Sequence, residues 1–77
     1  MDQSTIQDWT ESQVLLKFDE HRDVKYRVYR EQGTLYQEIR DADDSPIHTL
    51  AIPDGMTLDR GSYEVLLRYV LLDVTAA

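Results

Sequence analysis

Residues Val24–Arg40 constrain this chain more than any other segment, because they spell a β-hairpin. Val24, Tyr26 and Val28 alternate with Lys25, Arg27 and Tyr29, the period of two that gives a strand one apolar and one polar face. Gln32-Gly33 follows at the place for a tight turn, where glycine accepts the positive φ that two-residue hairpin loops need. Folding about that dipeptide sets Tyr29 opposite Tyr36, Arg27 opposite Glu38 and Tyr26 opposite Ile39. The aromatic pair and the opposite-charge pair then share one face, each contributing roughly 0.2–1 kcal/mol.

The hairpin needs partners, and the flanking sequence supplies them. Val14, Leu16 and Phe18 alternate within 13–18 and predict a strand before a charged turn at 19–23. Asp41-Ala42-Asp43-Asp44-Ser45 is a run of turn formers, and Pro46 opens a short apolar strand, Ile47–Ile52, stopped by Pro53-Asp54-Gly55. At the start of the chain, Thr5-Ile6-Gln7-Asp8 has the form of a capping box, so residues 1–12 read as a short helix or a partly ordered arm.

The segment Thr57–Asp73 reads as a helix. Thr57, Arg60, Gly61, Glu64, Arg68 and Thr75 fall on one polar stripe, and Leu58, Val65, Leu66, Tyr69, Val70 and Leu72 cover the opposite side. Glu64 precedes Arg68 by four residues, the favourable order for a helical ion pair. Gly61 counts against a helix interior there, and Gly61-Ser62 also fits a helix start. The expected fold is therefore α+β: a small antiparallel sheet of about four strands with one C-terminal helix packed on a face. A strand in the last segment would give an all-β fold instead. At 77 residues without internal repeats or a linker, the chain reads as a single domain, 1–77.

Composition narrows the function classes. Without cysteine the chain has no thiol chemistry and no cysteine-ligated zinc, and it fits a reducing compartment. No signal peptide is visible, and the longest apolar stretch, Val65–Leu72, is interrupted by Arg68 and too short to span a bilayer. The expectation is a cytoplasmic protein that does not engage membranes. The net charge of −7 is unevenly spread: residues 24–40 carry +2, against −4 before them and −5 after. Such a balance disfavours direct nucleic-acid binding, which depends on basic residues releasing counterions. It favours attraction to a basic protein surface.

No constellation for catalysis is legible. His21 and His48 lie 27 residues apart, His21 among Asp19, Glu20 and Asp23. The calcium-loop likeness of the Asp41 segment fails at its sixth and twelfth positions, held by Pro46 and Ile52. No glycine-rich phosphate loop or other cofactor motif is present. The expected function is a non-enzymatic protein-binding module, an inhibitor or adaptor. Its contacts are assigned to the carboxylates Asp41, Asp43, Asp44, Asp19, Glu20 and Asp23, and to Tyr29, Tyr36 and Arg27, since interfaces favour tyrosine and arginine.

In size and charge the chain is similar to small phage-encoded inhibitors of bacterial defence systems, which implies a basic, nucleic-acid-binding groove as target. The stretch from Asp43 to Ile52-Pro53, with the helix after it and the ending Leu71-Leu72-Asp73-Val74-Thr75-Ala76, also resembles the FlaG family of flagellar accessory proteins. That resemblance implies a structural or accessory component of a larger assembly. A homodimer is compatible with either reading.

Overall fold

The computed structural model describes residues 3–17 and 20–76, with side chains as far as Asp73. Four strands and one helix follow in order: β1 (Gln3–Leu15), β2 (His21–Glu31), β3 (Thr34–Asp41), β4 (Pro46–Ala51) and α1 (Arg60–Ala76). The strands form one antiparallel sheet in the order β1-β2-β3-β4, so each connection is a hairpin. This is the expected α+β architecture, with the sheet left open.

The central hairpin keeps the register its sequence dictates. Tyr29 pairs with Tyr36, Arg27 with Glu38 and Tyr26 with Ile39. Its turn is Gln32-Gly33, with φ of 51° and 80°, the mirror-image geometry that matches the right-handed twist of the strands. A period of two then sorts side chains by face. Val24, Tyr26, Val28, Gln37 and Ile39 point to the side that α1 covers, and all are buried. Lys25, Arg27, Tyr29, Tyr36, Glu38 and Arg40 point to the other side, which carries no second layer.

The N-terminal segment corrects the sequence reading. In place of a short helix in 1–12, residues from Gln3 onward extend β1 to 13 residues paired along β2. Two register shifts, between Thr5 and Gln7 and between Gln7 and Thr10, interrupt the alternation that would have signalled a strand. Asp8 stabilises the irregularity: its Oδ1 accepts the Trp9 N–H at 2.8 Å, and its carbonyl accepts the Thr10 hydroxyl at 2.9 Å. A short isolated helix is marginal in water, whereas β2 offers a full ladder of backbone partners. The strand expected over 13–18 ends at Leu15, and Phe18 lies outside the described residues.

The helix also starts later than the Thr57 expected from its stripes. Asp59 caps it, with Oδ1 accepting the Ser62 N–H at 2.8 Å and its carbonyl accepting the Tyr63 N–H at 3.1 Å. Gly61 thus sits in the first turn, where its low propensity matters least. The buried stripe is Tyr63, Leu67 and Leu71, at 0–2% exposure, with Leu66 and Val70 beside it. Of the residues expected to cover the sheet, Leu58, Val65 and Tyr69 remain exposed. The helix is apolar around more of its girth than one sheet can cover. Its polar stripe runs along β1, where Ser12 donates to Glu64 and Arg68 Nε donates to the Leu15 carbonyl.

The core joins Val14, Val24, Tyr26, Val28, Ile39, Ile52, Tyr63, Leu67 and Leu71. Tyr26 and Tyr63 meet edge to face at 6.3 Å. Gln37 is the buried polar side chain among them; its amide donates to the Tyr63 carbonyl at 3.1 Å, and its Oε1 has no hydrogen-bond partner. The turn generates a test. Gln32 holds a left-handed φ that asparagine adopts more readily, so Gln32→Asn should stabilise the fold by about 0.5 kcal/mol, whereas Gly33→Val should destabilise it by about 1–2 kcal/mol. Urea denaturation of the two variants measures both effects.

Candidate interaction face and acidic end

Hairpin topology brings the β1–β2 and β3–β4 connections to the same end of the sheet. That end gathers the acidic residues picked out from the sequence. Glu20 lies in the first connection and Asp23 just after it on β2, while Asp41, Asp43 and Asp44 come from the second. Asp19 lies outside the described residues. Asp23 and Glu11, from adjacent strands, line a shallow groove of about 440 Å³ with Gln13, Lys25 and Ala42.

The carboxylates at this end divide into two groups. Asp41 is held by Arg22 at 3.2 Å, and Asp44 by Lys25 at 2.8 Å and Arg40 at 3.4 Å. The Lys25 hydrogen bond, with Coulombic attraction from Lys25 and Arg40, holds the Asp44 carboxyl below its ordinary range. Asp43 works within the turn: its Oδ1 accepts the Ser45 N–H at 3.1 Å, which lowers its pKa as well. Glu11, Glu20 and Asp23 have no ion-pair partner among the described residues. Like Asp43, they keep their charge unneutralised among the described residues.

Behind the acidic end, the open face of the sheet carries a cluster of rings and cations. Trp9, from the irregular part of β1, stays 38% exposed and packs against Lys25, Arg27 and Arg40, whose charged atoms stand 5.2–5.6 Å from its ring centroid. Arg27 also lies 4.7 Å from the centroid of Tyr29, and Tyr29 stacks on Tyr36 at 5.6 Å. Three cations so close would repel one another without a counter-charge. Glu38 supplies it, accepting from Arg27 Nε at 2.8 Å and from Arg40 Nε and Nη2 at 3.0 and 2.9 Å. Burial works to raise the Glu38 carboxyl, but the two arginines outweigh it and leave the pKa below its ordinary value.

His21 and His48 are both exposed, on different strands, and among the described residues no three histidine or acidic side chains converge as a metal site would require. Among the described residues no helix is long and apolar enough to cross a membrane. Of the predicted contact residues, Tyr29, Tyr36 and Arg27 lie together on the open face, but Tyr29 and Tyr36 stand toward the Gln32-Gly33 turn, away from the acidic end, and Tyr29 is buried there. Trp9 was missed because its segment reads as a helix, while Lys25 and Arg40 follow directly from the hairpin alternation.

Glu38 makes the cluster pH-dependent. Its folded pKa lies below its unfolded one, so its stabilising contribution is complete above the ordinary carboxylate range and is lost as pH falls through the depressed value. Glu38→Gln should cost about 1–2 kcal/mol at neutral pH and flatten the acid limb of the stability curve. Urea titrations at several pH values, read by the fluorescence of the single tryptophan, measure both effects.

Comparison with protein-family models, with curated proteins and with solved structures finds no match to this chain, and the likeness to FlaG proteins rests on its residues alone.

Proposed function

We propose that this chain is a non-enzymatic protein-binding module, an inhibitor or adaptor, that engages a basic protein surface. The observation that carries this reading is the convergence of carboxylates from two hairpin connections at one end of the sheet, with Glu20, Asp23 and neighbouring Glu11 uncommitted to ion pairs. Long-range attraction from a chain of net charge −7 steers such a partner, and Trp9, packed against Lys25 and 38% exposed, supplies apolar contact once it has docked. A groove that normally holds nucleic acid has the matching charge. In that case the module acts by occupying the groove.

The ion pairing decides which substitutions are informative. Reversing Asp44 would release Lys25 and Arg40 and disturb the cluster on Trp9, so a loss of binding there would be ambiguous. Glu20 and Asp23 are exposed and support no neighbour. Partners captured with the tagged protein at low and high salt identify the target, and titration calorimetry then compares variants. The double variant Glu20→Lys/Asp23→Lys should bind at least tenfold more weakly and with a shallower salt dependence, while melting like the parent. Unchanged affinity would remove the acidic end from the interface.

A further inference from the structure

The outer face of α1 is apolar and is left uncovered by the sheet. Val65 and Tyr69 are 58% and 69% exposed, and Leu58 just before the helix is 46% exposed. Ser62, Val65, Tyr69 and Leu72 follow one another at intervals of three, four and three, which is the seam of a two-helix coiled coil rather than scattered exposure. This seam lies opposite the Tyr63/Leu67/Leu71 stripe that the sheet buries. Small Gly61 and Ser62 open an apolar concavity along it, walled by Met56, Leu66 and Tyr69.

We infer that this face docks on the same face of a second copy, with the two helices parallel about a two-fold axis. Charge chooses the occupant and its direction. Arg68 stands immediately before the seam residue Tyr69, and Asp73 immediately after Leu72, five residues on. In a parallel pair these two flanking positions meet across the axis, so an Arg68–Asp73 pair forms twice. An antiparallel pair would set Arg68 against its own copy. In the single chain Arg68 commits only its Nε, to the Leu15 carbonyl, leaving its terminal nitrogens for the partner's carboxylate. The seam spans less than two heptads, so the dimer is weak and forms only at high protein concentration. The sheets face outward in this dimer, and the acidic end remains open.

Sedimentation velocity over a concentration series reaching about a millimolar tests the inference. The parent chain should pass from monomer to dimer, and Tyr69→Lys or Val65→Lys should stay monomeric while melting like the parent, since both positions are exposed. Asp73→Arg should weaken the dimer severalfold, and Arg68→Asp/Asp73→Arg should restore it. A parent that is monomeric throughout, a dimer indifferent to Tyr69→Lys, or a charge swap that fails to restore association would each overturn the proposal. Partner binding through Glu20 and Asp23 is measured separately and need not change with Tyr69→Lys.

Discussion

The register of β2 against β3 is the constraint on which the molecule rests. A period of two means that a slip by one residue would set the apolar face of one strand beside the polar face of the other. It would leave either Tyr26 and Val28 or Gln37 and Ile39 in solvent, and bring either Lys25 and Arg27 or Glu38 and Arg40 beneath the helix. The Gln32-Gly33 turn, the Arg27–Glu38 ion pair and the Tyr29/Tyr36 stack all specify the same register. With β2 and β3 fixed, β1 and β4 have one edge each to join, and α1 has one face to cover.

The two faces are stabilised by different physics. Beneath α1 the sheet gains from burying apolar surface, with its tyrosine hydroxyls kept neutral: burial raises the pKa of Tyr26 and Tyr63. On the open face the gain is electrostatic and local. Glu38 is only 13% exposed at its side chain, so its pairs with Arg27 and Arg40 are less screened than ordinary surface pairs. Those pairs hold the guanidinium groups against the rings of Trp9 and Tyr29, and Tyr29 is buried on a face that has no second layer. A chain of 77 residues without disulfides can thereby order both sides of a single sheet.

The hairpin's register was legible to the residue because local alternation and turn chemistry decide it, although β2 begins at His21, inside the segment expected as a turn. The β4 segment, expected at Ile47–Ile52, lies one residue earlier, at Pro46–Ala51. The acidic end was legible as a list, since hairpin connections on alternate sides bring the first and third together. Its division into paired and unpaired carboxylates was not, because the Lys25–Asp44 and Arg22–Asp41 contacts depend on neighbouring strands meeting in space. Residues 3–12 misled because their register shifts erase the period of two and leave the capping-box pattern of Thr5–Asp8 as the stronger local signal. The helix was found, but its stripes were not assigned correctly. Apolar residues surround most of it, and only docking on the sheet selects Tyr63, Leu67 and Leu71 over Val65 and Tyr69.

The irregular course of β1 has a consequence for how other molecules can approach. This strand is the longer free edge of the sheet, and an unbroken edge of 13 residues would be a template for adding strands without limit. Its two register shifts break the row of outward-facing backbone groups into short runs, and the opposite edge, β4, has only six residues beginning with proline. Neither border offers a long unbroken ladder: β1 keeps one register only over Thr10–Leu15, and β4 runs only from Pro46 to Ala51. A strand added at either edge can therefore pair over one short run only, and at the longer edge it is the irregularity of β1 that sets this limit.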